Sequence, residues 1–347
     1  MTALTEPVTA SPNLNLITDV PGVRVGHAHD AGLASGVTAV LIAQPNVAAG
    51  VIRGGAPGGR DTGLLEPEMT VPGVDGIVLS GGSAFGLDAA GGVMGFLRDA
   101  GIGLSVGAAV VPIVAQAICF DLLNGGNKAW GRCPPYWELG WQAAAAASEA
   151  AFTLGTAGGG FGATTATCKG GIGSASAVTA AGIRVGAIVV VNAIGTATVG
   201  TTAHFWAAPV EVGAQFGGLG WPRTFAPADL ALHTKGGSPP STTIGLVVTD
   251  AILTKAEAKR LAIMADDGLA RALRPAHAPM DGDTVFAVAT QRQPNRGGNA
   301  GLTEIGLTAA DCLARAIARG VYAATALPFP GALPAWRDRF GGLVRPT

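Results

Sequence analysis

Glycine, and where it sits, narrows the folds open to this chain more than any other feature. It occupies 54 of 347 positions, roughly twice the usual share. The glycines cluster as Gly54-Gly55, Gly58-Gly59, Gly81-Gly82, Gly91-Gly92, Gly158 to Gly160 and Gly170-Gly171. They keep no three-residue period, which excludes a collagen helix. Many lie beside apolar runs, so they predict tight turns and close backbone contacts in a compact fold. Charge is sparse: 22 Lys+Arg stand against 23 Asp+Glu, 13% of residues, while 48% are apolar. That balance excludes intrinsic disorder. It also leaves no basic field for a phosphate backbone, so nucleic acid is not an expected partner. Low charge further predicts subunit contacts, because a monomer must cover its surface with polar groups.

A chain this apolar raises the question of a membrane. Its apolar runs, such as Val185 to Val191, are strand-sized, far short of the roughly 18 residues that span a bilayer. Residues 1–15 lack a basic stretch followed by an apolar one, so no signal peptide is read. A cytoplasmic location is expected. Cys119, Cys133, Cys168 and Cys312 are widely spaced, without a C-x-x-C pair, and read as reduced thiols. His27-x-His29 would place two rings on one face of a strand but lacks a clear third ligand. No metal and no organic cofactor are expected.

Strands are predicted over Val37 to Ala43, Gly76 to Leu79, Ala175 to Gly182, Val185 to Asn192, Thr242 to Thr249 and Val285 to Ala289. Helices are predicted over Leu87 to Ala100, Gln142 to Phe152, a segment capped by Thr254-Lys255-Ala256-Glu257, and Thr308 to Ala324. From Phe205 to Ser241, prolines and glycines predict little regular structure, and loops of such length are usually functional or disordered. The stretch Lys235 to Ser241 is expected to be exposed. Strands and helices on both sides of this loop point to helix–sheet–sheet–helix layering in a single domain, 1–347.

The loop delivers Thr242 to the first position of an uncharged strand. Thr242 and Thr243 read as ordinary strand residues. Were the chain cut before Thr242, however, that residue would carry both a hydroxyl and an α-amine able to act as its base. Asp281-Gly282-Asp283 reads either as a turn or as a carboxylate pair whose ionisations are pushed apart. Lys169 reads either as a surface lysine or as a cation near a nucleophile. Asn192 ends a buried strand and needs partners, which a turn or an oxyanion hole would supply. Gly81-Gly82-Ser83 lacks the G-x-S-x-G pattern of a nucleophile elbow.

Taken in order, several blocks resemble one family. They are residues 17–27 (ITDVPGVRVGH), Arg53 to Gly58, Leu79 to Leu87, Lys169 to Ala175, Val190-Val191-Asn192, Thr242 to Gly245 and Met280 to Ala287. The family is that of the self-processing aminopeptidases and amidases, which includes L-aminopeptidase/D-esterase, the β-peptidyl aminopeptidases and the nylon-oligomer endo-hydrolase. The resemblance implies a four-layer α/β/β/α sandwich like that of N-terminal-nucleophile hydrolases, shared with ornithine acetyltransferase. It implies self-cleavage at Ser241-Thr242 into an α subunit, 1–241, and a β subunit, 242–347. By position, Thr242 is the implied nucleophile and Asn192 the oxyanion amide. Lys169, Asp281 and Asp283 match the site lysine and acids of the nylon-hydrolase branch. Tyr136 and Asp283 are the implied substrate contacts. The resemblance also implies a homo-tetramer of processed pairs or larger, and a small peptide or amide with a free amino end as substrate. Where members carry Asn or Gly before the nucleophile, this chain has Ser241 after Pro239-Pro240, and two prolines stiffen the approach. Two other readings remain at this point. One is acyl transfer to an amine, as in ornithine acetyltransferase. The other is an unprocessed, non-catalytic relative that binds small amines.

Overall fold

A computed structural model describes residues 14–236 and 240–343. In chain order, β1 (Val23–Asp30), β2 (Ser35–Ile42), β3 (Val47–Ile52), β4 (Gly59–Arg60) and β5 (Gly76–Ser80) precede helix α1 (Ala89–Asp99). A short hairpin, β6 (Leu104–Val106) and β7 (Ala109–Val111), and strand β8 (Val114–Ile118) lead to α2 (Tyr136–Ala145). Then come β9 (Gly171–Val178), β10 (Arg184–Asn192), β11 (Thr242–Ile252), α3 (Lys255–Ala272), β12 (Thr284–Pro294), α4 (Gly298–Ala323) and α5 (Trp336–Phe340).

The strands form two five-stranded sheets, ordered β1-β2-β5-β8-β4 and β3-β12-β11-β10-β9. Between them lies one apolar layer, with Val40, Ile77 and Leu79 facing Ile188, Ile244, Leu246 and Phe286. The alternate residues of each strand face outward. Those of the first sheet, such as Ala39 and Val78, pack against Val93 and Leu97 of α1 and Leu139 of α2. Those of the second, such as Val189 and Val247, pack against Leu261 and Leu269 of α3 and Leu313 and Ile317 of α4. Both faces of every central strand are therefore dry, which is why these strands read as continuous apolar runs. The expected α/β/β/α sandwich is the observed one.

Close approach accounts for much of the glycine. A Cβ on Gly92 of α1 would stand 1.9 Å from the Trp137 carbonyl oxygen of α2, and one on Gly173 of β9 would stand 1.8 Å from that of Ala316 of α4. Helix and neighbour meet there backbone to backbone.

Several boundaries differ from the sequence reading. Helix α2 occupies Tyr136–Ala145, not Gln142 to Phe152. Pro135 is its N-cap, and Tyr136, Leu139 and Ala143 are buried. It stops where Ser148 exchanges backbone hydrogen bonds with Val25, at 2.9 and 3.1 Å. Helix α4 begins at Gly298 rather than Thr308. Glycines at 298, 301 and 306 weaken its propensity signal, yet Leu302 and Ile305 are buried all the same. The capping box at the head of α3 forms as read, with Glu257 N–H donating to Thr254 Oγ1 at 3.2 Å and Thr254 N–H to Glu257 Oε2 at 2.7 Å. Between Phe205 and Ser241 the described residues hold two short 3-10 turns, Ala208–Val210 and Pro227–Leu230. Among the described residues no helix is long and apolar enough to cross a membrane.

Candidate active site

The register of the second sheet assembles the site. Antiparallel pairing sets Asn192, the last residue of β10, opposite Thr242, the first of β11. On the other side of β11 the parallel strand β12 begins at Thr284, and Ser241 bridges to Asp281 just before it. One end of the sheet thus gathers Asn192, Thr242 and the 281–283 turn.

The Ser241 carbonyl oxygen accepts a hydrogen bond from the Gly282 N–H at 2.9 Å, and the Thr242 hydroxyl donates to the same oxygen. Ser241 and Thr242 are both buried, 1% and 4% exposed. The expectation of an exposed approach is therefore corrected at Ser241. The turn fits tightly: a Cβ on Gly282 would stand 2.8 Å from Thr242 Oγ1.

The two acids of the turn have different surroundings. Asp283 Oδ1 accepts the Thr243 N–H at 2.7 Å, and Oδ2 accepts the His277 N–H at 2.9 Å and lies 3.0 Å from His277 Nδ1. His277 Nε2 lies 3.3 Å from Asp266 of α3. Hydrogen bonds to Asp266 and Asp283 raise His277 to about 10, so the ring is an imidazolium at neutral pH. Asp281 Oδ2 accepts the Ala278 N–H at 3.0 Å. Its Oδ1 is buried with no hydrogen-bond partner among the described residues. Burial, and then the charge of Asp283, raise Asp281 to about 6.

Asn192 is held on every side. Its Nδ2 donates to the Phe120 carbonyl at 2.9 Å, and its Oδ1 accepts the Thr164 N–H at 3.0 Å and Lys235 Nζ at 3.1 Å. Lys235 Nζ also reaches the Asn192 backbone oxygen at 3.0 Å. Lys235 was expected in an exposed stretch. Its ammonium is instead turned into the site, because a Gly- and Pro-rich segment can bend back over the sheet end.

Two sequence-predicted residues come out differently. Lys169 is buried, 1% exposed, and its Nζ donates to the carbonyls of Gly160, Ala163 and Gly170 at 3.1, 2.8 and 2.9 Å. An ammonium has three N–H groups, so none remains for an oxyanion. Tyr136 is fully buried, and its hydroxyl donates to Ser35 Oγ at 3.1 Å. Ser35 in turn donates to Asp121 Oδ2 at 2.6 Å, while Asp121 Oδ1 accepts the Gly82 N–H at 2.8 Å. Tyr136 therefore reaches a buried carboxylate through Ser35, and burial raises the pKa of that carboxylate. The Gly81-Gly82 turn delivers this backbone donor and no nucleophile. Sequence reasoning missed Asp121, Lys235, Asp266 and His277, which lie far apart in the chain or inside a loop.

A cavity of about 290 Å³ opens beside these groups, lined by Asp121, Asn124, Thr164, Lys169, Lys235 and Pro240 among others. His27, by contrast, lies off the site. Its Nδ1 is 2.9 Å from Thr38 Oγ1, and burial holds the ring neutral, down to about 4. Among the described residues no group of three or more His, Cys, Asp or Glu stands ready for a metal. All four cysteines are free thiols, three of them buried.

A family model described as peptidase family S58 matches residues 15–332. An uncharacterised aminopeptidase of Mycobacterium tuberculosis strain H37Rv is 43% identical over 350 residues, covering 95% of this chain and 99% of that one. A 6-aminohexanoate-oligomer endohydrolase of Kocuria sp. is 28% identical over 306 residues, covering 82% of this chain and 77% of that one. Among solved structures, the L-aminopeptidase D-Ala-esterase/amidase of Ochrobactrum anthropi, described as a variant of the Ntn hydrolase fold, superposes with a TM-score of 0.67 at 21% identity, covering 98% and 96% of the two chains.

Proposed function

The chain belongs to peptidase family S58 and is a hydrolase of peptide or amide bonds; we propose that its nucleophile is Thr242, freed as an N-terminal residue when the chain cuts its own Ser241–Thr242 bond. One observation carries this reading. The Ser241 carbonyl is bracketed by the Thr242 hydroxyl and the Gly282 N–H, which are a nucleophile and an oxyanion donor on the same group.

In the cleavage step, Thr242 Oγ attacks the Ser241 carbonyl carbon. The C–N bond breaks, the proton passes from the hydroxyl to the departing amine, and Ser241 is left as an ester on Oγ. Water hydrolyses that ester, giving a Ser241 carboxylate and a free Thr242 amine. In turnover the freed amine takes the hydroxyl proton as Oγ attacks the substrate carbonyl, then delivers it to the leaving amine. Water releases the acyl group from the threonyl ester. The Gly282 N–H and the second Asn192 Nδ2–H stabilise the oxyanion. Asp283 fixes the start of β11 through the Thr243 N–H. Asp281, with its open Oδ1, receives the Thr242 amine or the substrate's ammonium. A 6-aminohexanoate oligomer or a short peptide with a free amino end suits these groups.

The test is mass spectrometry beside an amidase assay on L-alanine p-nitroanilide and the linear trimer of 6-aminohexanoate. Wild type gives fragments 1–241 and 242–347. Thr242→Ala stays one chain of 34.3 kDa and loses activity by roughly three orders of magnitude or more. An active wild type whose mass remains that of the intact chain would overturn the proposal.

A further inference from the structure

Two lysines stand by this site, Lys169 buried and Lys235 half-buried, and they are not equivalent. All three N–H groups of Lys169 are committed to backbone carbonyls. Lys235 Nζ has both its contacts among the described residues on a single residue, the backbone oxygen and Oδ1 of Asn192. One of its N–H groups has no partner among the described residues, and the side chain lines the cavity. Its main chain is tied to the same strand end, Lys235 N–H donating to the Ile194 carbonyl at 3.1 Å. Lys235 precedes the 241–242 bond, but none of these anchors crosses that bond, so they persist when it opens.

We propose that Lys235 is the positioning residue of the oxyanion site: by gripping both oxygens of Asn192, its ammonium orients the Asn192 amide toward the forming oxyanion and adds positive charge beside it. The assignment rests on the acyl-transfer reading of Thr242. An amide whose oxygen is held by a cation is a stronger N–H donor, and a fixed donor needs no reorganisation as charge develops.

The groups around Lys235 support the role. Asp281 and Asp121 face it as two acids whose pKa burial raises, Lys169 as a second amine that burial brings down to about 7, and Cys119 as a thiol that burial keeps neutral. Burial brings Lys235 down to about 7, so its charge is lost as pH rises through that value. Since the charged form is the active one, kcat falls as pH rises through about 7.

The experiment measures kcat, KM and pH profiles for wild type, Lys235→Met and Lys235→Arg on L-alanine p-nitroanilide, with intact mass recorded for each. Lys235→Met is expected to lower kcat about 10- to 100-fold with KM within about threefold, and to lose the alkaline limb. Lys235→Arg, whose charge persists to far higher pH, is expected to recover part of kcat and to carry the limb upward. Wild-type kcat in Lys235→Met, or an alkaline limb that neither variant moves, overturns the role of Lys235 and leaves the Thr242 reading intact. An uncut but active wild type overturns both.

Discussion

Asp281 and Asp283 are one residue apart and have opposite tasks. Asp283 has both oxygens engaged, by Thr243 and His277. Asp281 keeps a buried oxygen without a partner among the described residues, a costly state unless a ligand completes it. Burial raises Asp281 to about 6, so it is protonated below that pH and an acceptor for an ammonium above it. On the proposed mechanism kcat/KM rises with pH through about 6 in wild type. Asp281→Asn keeps the shape but not the charge, and is expected to lower kcat/KM about 100-fold and to remove the step at about 6, leaving the rise of the Thr242 amine at about 8, as a pH-rate profile will show. The pair itself was legible as D-G-D before a strand. The division of labour was not, because it depends on which oxygen meets the amides of Thr243, His277 and Ala278. Lys235 was hidden for a related reason: a lysine among glycines and prolines reads as solvated, and only the folded loop turns it onto Asn192. Lys169 reads in the sequence as a surface lysine or a cation near a nucleophile, and Tyr136 is implied only by the resemblance; their hydrogen bonds in the fold run to main-chain carbonyls and to Ser35.

The elements have their own weak points. Strand β9 meets α4 at Gly173, where an added Cβ would fall 1.8 Å from the Ala316 carbonyl oxygen. Nothing flexible is there to yield. Gly173→Ala is therefore expected to cost about 1–3 kcal/mol, read as a lower urea midpoint with an unchanged slope. A second joint links α3 to the catalytic turn, where His277 lies between Asp266 and Asp283. His277 is raised from 6.5 to about 10 in the folded chain. Its stabilisation is thus fully present below pH 6.5 and is lost as pH rises through about 10. Thermal melts of wild type and His277→Gln should differ most at pH 6 and converge by pH 10 and above. Element types were readable where apolar period and caps agreed, as in α3. The first turns of α4 escaped because its glycines weaken the helix signal, while tertiary burial of Leu302 and Ile305 favours the helix regardless.

At the scale of the molecule, layering was readable because uncharged strands need cover on both faces. Strand order was not, since pairing partners come from distant parts of the chain. That order has a mechanical corollary. In the second sheet, β12 and β11 sit side by side, flanked by β3 on one edge and β10 on the other. Both strands that follow residue 241 are inserted into a ladder whose outer rungs belong to the piece before it. Opening the 241–242 bond would nick this sheet rather than divide the protein. The two products would stay interleaved at any dilution and melt together, and a shorter piece made by itself would have no template on which to fold.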